Sequence, residues 1–134
     1  MSNDRTEMMV FSTHVLDGTT GTHAAGVPVT VAAILPSGER RILFSGKTAS
    51  DGRAGAELEN PFTGSSRVRS DYEVVFEIGA YFSGHGNIPT AGDQAGKEVQ
   101  MTELVFRARI PRTSRRFHLP VIMSPFAGSA WWSR

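Results

Sequence analysis

Short segments of alternating apolar and polar residues, cut by frequent glycine and proline, constrain this chain more than any other feature. Tyr72, Val74, Phe76 and Ile78 share one side of an extended segment, with Glu73 and Glu77 on the other. Leu104, Phe106, Ala108 and Ile110 repeat the pattern opposite Arg107 and Arg109, a side that reads as solvated. Fourteen Gly and seven Pro interrupt the chain before a long helical period can build. Period two with such interruptions predicts an all-β domain.

Residues 9–16, 27–35, 41–44 and 117–123 are further strand candidates, rich in β-branched and apolar side chains. Residues 17–21, Pro36-Ser37-Gly38-Glu39 and Ser50-Asp51-Gly52-Arg53 read as turns, where Pro presets φ and Gly supplies positive φ. Residues 57–64 hold at most one short helix, because Pro61 interrupts them, and residues 84–96 read as a loop. This many short strands predict a two-sheet β-sandwich. A chain of 134 residues suits one domain over residues 1–134, with residues 1–8 as a flexible N-terminal tail.

Composition excludes several function classes. Cysteine is absent, which removes disulfides, thiolate nucleophiles and Cys-based zinc sites. Lys plus Arg total 14 against 13 Asp plus Glu, a balance that argues against nucleic-acid binding through bulk charge. No apolar run is long enough to span a bilayer, and the polar first residues lack a signal-peptide core, so a cytoplasmic location is expected.

Three segments carry a resemblance. The first is Ser12-Thr13-His14-Val15-Leu16-Asp17, followed by Gly21 and Ala24-Ala25-Gly26-Val27-Pro28-Val29. The second is Thr48-Ala49-Ser50-Asp51-Gly52-Arg53, and the third is Phe117-His118-Leu119-Pro120-Val121-Ile122-Met123-Ser124-Pro125. Together they resemble the 5-hydroxyisourate hydrolases, enzymes of urate breakdown that share the transthyretin fold. The resemblance implies a transthyretin-like sandwich assembled as a homotetramer, with active sites in a channel where subunits meet. It also implies a purine-derived small-molecule substrate, no cofactor, and a catalytic set of His14, Arg53 and His118.

Those residue types suit hydrolysis of an acyl–nitrogen bond. A neutral imidazole accepts a proton from attacking water near pH 7, an effect of roughly 10²–10⁴-fold. A fixed donor on the oxygen that gains charge contributes about 10²–10³-fold, and an Arg fork fits a planar carbonyl. Which histidine is the base is open at this level. His118 lies opposite Phe117, Leu119, Val121 and Met123, and His14 shares parity with Ser12 and Leu16. Pro120 cannot donate to a ladder, which places the last strand at an edge or beside a bulge. His23 and His85 fall in turn-like sequence and carry no motif. Two motif histidines without a matching carboxylate do not make a zinc site.

The ending departs from the family pattern of Tyr-Arg-Gly-Ser, with Trp131, Trp132, Ser133 and Arg134 at those positions. The indoles either cover apolar surface at a subunit contact or line the substrate pocket with Ser133. As pocket walls they favour a ring whose N–H groups carry methyls, and the resemblance includes a branch that acts on trimethylated hydroxyisourate in caffeine breakdown. The alternative is a non-catalytic transthyretin-like protein that binds a small aromatic ligand. A structural sandwich module ranks below both.

Overall fold

The computed structural model describes residues 8–62, 70–84 and 101–132. Nine strands and one short helix follow in the order β1 (Met8–Asp17), β2 (Thr22–His23), β3 (Pro28–Ile34), β4 (Arg40–Lys47), β5 (Arg53–Glu59), β6 (Asp71–Phe76), α1 (Ile78–Gly84), β7 (Leu104–Arg109), β8 (Arg116–Ser124) and β9 (Ala127–Ala130). One sheet has the order β4-β3-β6-β7 and is antiparallel throughout. The other has the order β2-β1-β8-β9, with β5 also paired to β1. Its β1–β8 contact is parallel and its remaining pairs are antiparallel. The all-β sandwich with one short helix is the architecture that the alternation predicts.

The core forms where the inward parity of both sheets meets. β1 and β8 contribute Phe11, Val15, Phe117, Val121 and Met123, each almost fully buried. The facing sheet contributes Val29, Val31, Tyr72, Val74 and Phe76. Phe11 meets Phe117 edge-on at 5.8 Å and Phe44 of the opposite sheet at 6.1 Å, geometries that aromatic quadrupoles favour. Gly128, the register partner of Met123, sits against the end of the Leu104 side chain, which would have to shift for a Cβ to fit.

Several sequence expectations are corrected. Residues 57–59 belong to strand β5 and not to a helix. The Ala- and Glu-containing segment has good helix propensity, but pairing from Met8↔Glu59 to His14↔Arg53 overrides it. The helix instead starts at Ile78, which sequence reading kept in the preceding strand. Ile78, Tyr81 and Phe82 are all buried, an i, i+3, i+4 stripe that marks a helix. Third, β8 is not an edge, since it runs between β1 and β9. The Pro120 carbonyl accepts from Trp131 N–H at 3.3 Å, so the missing Pro donor points to where the β9 ladder ends. Most of the segment 84–96 lies outside the described residues.

Two buried carboxylates hold neighbouring elements together. Glu73, on the outer face of β6, accepts from Arg40 Nε at 2.6 Å and from Arg107 Nη2 at 2.9 Å. Arg107 and Arg109 are therefore ion-paired, the latter to Asp71 at 2.8 Å, rather than simply solvated. Asp17 ends β1 at 2% exposure and accepts from Thr19 N, Thr19 Oγ1 and Tyr81 Oη. Burial alone would raise its pKa, but the bonds from Thr19 and Tyr81 outweigh burial and hold it below the ordinary value. Burial and the Asp17 partner push the Tyr81 hydroxyl up to about 12.

Tyr81→Phe should therefore destabilise the fold by roughly 1.5–3 kcal/mol near neutral pH, the range for a hydrogen bond to a charged group. Asp17 has a depressed folded pKa, so its contribution is full above the ordinary carboxylate value and is lost as pH falls through the folded one. Urea midpoints of wild type and variant should differ at neutral pH and converge in acid. A constant difference across pH would show that the Asp17 charge is not what Tyr81 stabilises.

Candidate functional site

The outward parity of β1 and β8 gathers the sequence-predicted residues on one sheet face. On β1 these positions are Ser12, His14 and Leu16, all half-buried. Register pairs Ser12 with His118, His14 with Pro120 and Leu16 with Ile122 across the parallel contact. On the other side of β1, register pairs His14 directly with Arg53. His14 and His118 thus sit on adjacent strands two residues apart, with Cα atoms roughly 8 Å from each other by strand spacing and rise. His14, Arg53 and His118, distant in sequence, share one patch.

The turn before β5 sets the Arg53 position. Gly52 N–H donates to the Ala49 carbonyl at 2.9 Å, Ala49 N–H to the Arg53 carbonyl at 2.8 Å, and Arg53 N–H to Asp51 Oδ1 at 3.0 Å. Gly52 has φ of 77°, a region that a side chain rarely adopts. A Cβ there would also lie 2.6 Å from the Val15 carbonyl oxygen and 3.3 Å from His14 Cδ2. Glycine lets the turn close against β1, where Val15 N–H bonds to the Gly52 carbonyl at 2.8 Å. Arg53 Nε lies 3.9 Å from Asp51 Oδ2, with both side chains 58% exposed.

Each motif histidine has a polar partner. Ser12 Oγ lies 2.7 Å from His118 Nδ1. His14 Nε2 lies 2.8 Å from His23 Nδ1. The His14 pKa is lowered by burial first, then by the Arg53 charge and by His23, against a smaller opposing effect of Asp51. A neutral, proton-accepting imidazole beside a permanent cation is suited to general-base work near pH 7. Among the described residues, no group of three or more His, Cys, Asp or Glu gathers as a metal site, and no helix is long and apolar enough to cross a membrane.

The C-terminal residues divide between the two sides of the sheet. Trp131 lies one residue past β9 and bonds through its N–H to Pro120. Alternation puts it on the His14 and His118 face, where it is 47% exposed. Trp132 takes the other side and stacks on Phe117, with ring centroids 5.0 Å apart at 26°. There it lines a groove of about 580 Å³ with Arg109, Arg115 and Arg116. Ser133 lies outside the described residues, as does His85. Two polar neighbours escaped sequence reading. The i, i+2 spacing of Ser12 and His14 gave a usable signal for Ser12, but nothing local placed His23 against His14.

The comparisons with known proteins agree in family. The model of the HIUase/Transthyretin family matches residues 11–132. A 5-hydroxyisourate hydrolase of Halalkalibacterium halodurans is 31% identical over 115 residues, which cover 85% of this chain and 88% of that relative. Among solved structures, Klebsiella pneumoniae 5-hydroxyisourate hydrolase matches with a TM-score of 0.67 and 26% identity, over 94% of this chain and 99% of that one. An (S)-allantoin synthase matches with a TM-score of 0.72 and 22% identity, a likeness of fold alone; it covers 96% of this chain, which spans 45% of the synthase.

Ser12→Ala tests the site geometry without reference to activity. Removing the hydroxyl should move the ¹⁵N resonance of His118 Nδ1 and leave the His14 ring nitrogens in place. Stability should change by about 1 kcal/mol or less, as for a partly exposed neutral hydrogen bond. An unmoved Nδ1 resonance would mean that Ser12 is not its partner in solution.

Proposed function

The chain belongs to the HIUase/transthyretin family, and we propose that it opens the ring of 5-hydroxyisourate or of an N-methylated, trimethyl derivative by hydrolysis. The observation that carries this reading is the shared face of His14, Arg53 and His118, set by the pairs His14↔Arg53 and Ser12↔His118. A carrier of small ligands has no need of two imidazoles and a guanidinium in that register.

In the proposed reaction, one imidazole takes a proton from water as the water oxygen bonds to a ring carbonyl carbon. The carbonyl oxygen gains negative charge, and Arg53 stabilises it through its fork of N–H donors. The tetrahedral carbon then expels the ring nitrogen, which receives a proton from an imidazolium. The product is a carboxylate with an open ring; the carboxyl proton is released to solvent, and exchange with solvent returns the base histidine to neutral and the acid histidine to imidazolium. The lowered pKa of His14 keeps it neutral and suits it to the first role, while His118, held through Nδ1 by Ser12, is oriented for the second.

The single chain offers an open face here. Val10 and Ile122 are both 41% exposed beside the polar cluster, and Trp131 flanks it. An apolar fringe around an open polar site is suited to burial by further copies, which supports the homotetramer with sites between subunits. The Trp131 indole adds a flat apolar wall on this side. An extra methyl against such a wall gains only about 1–3 kcal/mol, whereas a polar pocket would leave donors unpaired against that methyl. This supports the methylated substrate, as in methylxanthine (caffeine) catabolism, beside the ordinary urate-derived one.

Both substrates should be generated fresh in the cuvette and their absorbance decay followed with and without protein. Acceleration is expected, and His14→Ala or His118→Ala should reduce it by roughly 10²–10⁴-fold. Arg53→Ala should reduce it by about 10²–10³-fold. Preference for the methylated ring that disappears in Trp131→Ala would assign the substrate choice to that indole. If neither substrate decays faster with the folded protein, the hydrolase reading fails and a ligand-binding role replaces it.

A further inference from the structure

His23 sits in a two-residue strand that sequence reading treated as part of a turn, yet the backbone fixes it beside His14. The turn after β1 closes through Gly21 N–H to the Asp17 carbonyl at 2.8 Å, with Gly21 at φ 73°. β2 then pairs Leu16↔His23 and Asp17↔Thr22. Directly after it, Ala24 N–H bonds to the Val15 carbonyl at 2.9 Å, and the Ala24 carbonyl accepts from Thr48 Oγ1 at 2.6 Å. The residues on both sides of His23 are thus tied to β1. Its ring lies 4.9 Å from that of His14, centroid to centroid, with Nδ1 2.8 Å from His14 Nε2.

We propose that His14 and His23 share one proton between Nε2 and Nδ1 and act as a single acid–base unit, with His23 as the positioning residue that fixes the tautomer of His14. The idea rests on reading His14 as part of the hydrolytic site. A nitrogen–nitrogen contact of 2.8 Å needs one N–H and one lone pair. Two neutral rings satisfy it, and so does one neutral ring with one cation. Two cations would set N–H against N–H and break it. The groups around His14 favour the singly charged or neutral pair. Arg53 on β5 faces it across the strand, and Asp51 in the preceding turn opposes it through a backbone hydrogen bond to the ring first and its own charge second. β8 presents the uncharged Pro120 in register, and His118 stands two residues away behind Ser12. Ser12 and Leu16, on the same face of β1, carry no charge.

The consequence is that His14 does not titrate alone. The pair should lose protons in two steps that belong to both rings. His23 is exposed in the single chain, so a proton taken up by the pair can exchange with solvent through it. That exchange regenerates the base after each turnover.

The protein labelled with ¹⁵N should be titrated from about pH 4 to pH 9, a range that brackets ordinary histidine. The ring resonances of wild type, His23→Ala and His23→Asn are then compared. In wild type, His14 and His23 should move together in two steps separated by more than about one pH unit, the mark of strong coupling. In His23→Ala, His14 should show one step, shifted toward the ordinary histidine value. The acid limb of kcat/KM should shift in the same direction, with kcat reduced several-fold and KM little changed. His23→Asn restores a hydrogen-bond partner without a titratable ring. It should recover kcat and keep the one-step titration. A His14 titration that is identical in wild type and His23→Ala overturns the proposal, as does a His23→Ala pH profile that superimposes on wild type. The titration needs no turnover. Coupled titration in a protein that accelerates neither substrate would therefore remove the hydrolase reading and leave the shared proton standing.

Discussion

The parallel pairing of β1 with β8 is the constraint on which the site depends. It joins two segments separated by about a hundred positions, so no local preference forms it. Phe11 and Phe117 are register partners on its inner side, and their edge-on contact locks the two strands in the core. A one-residue slip of either strand would turn its Phe ring to solvent and its histidine into the core. The burial of two Phe side chains, worth on the order of 1.5–3 kcal/mol each, therefore also sets which way Ser12, His14 and His118 point. Apolar energy on one face of the sheet specifies polar geometry on the other.

Val15 makes the second half of the arrangement. Its side chain is fully buried. Its N–H bonds to the Gly52 carbonyl and its carbonyl accepts from Ala24 N–H. One backbone unit next to His14 thus holds the turn that delivers Arg53 and the short strand that delivers His23. The Gly52 side of this clamp is closed to any other residue by both φ and space. A rigid element inside the core carries the site, and the short turns only complete it, which is how loops of limited size hold precise geometry.

Much of this was legible in the sequence, and the limits have physical causes. Alternation gave the strand positions of Phe117 through Met123 and the outward parity of His14 and His118, because burial on one face leaves a period of two. The Ser50-Asp51-Gly52-Arg53 turn was legible because glycine reports positive φ directly. Strand β5 was not, since Ala54, Ala56, Glu57 and Leu58 are good helix formers whose state is decided by pairing with β1. Helix α1 was masked by Ile78, whose side chain extends the parity of β6 and also opens the buried stripe with Tyr81 and Phe82. Pro120 misled for another reason: a missing donor is tolerated inside a sheet where the neighbouring ladder stops. His23 depends on tertiary register alone and carried no local signal.

The two motif histidines end in different electrostatic settings although they lie on one face. Burial first, then Arg53 and a second imidazole, disfavour the His14 cation. His118 contacts a neutral hydroxyl through Nδ1, and a hydroxyl can turn to donate or accept as the ring changes charge. A hydrolysis that proceeds through a proton gained and a proton returned needs such an inequality, because two equal imidazoles would compete for the same proton. The inequality arises from position rather than residue type. His14 lies on the β5 side of β1, where the Asp51-Gly52 turn brings in a cation. His118 lies one strand further from that turn, with Ser12 between. Under the proposed reaction, the order of strands in the sheet therefore assigns the roles of acceptor and donor.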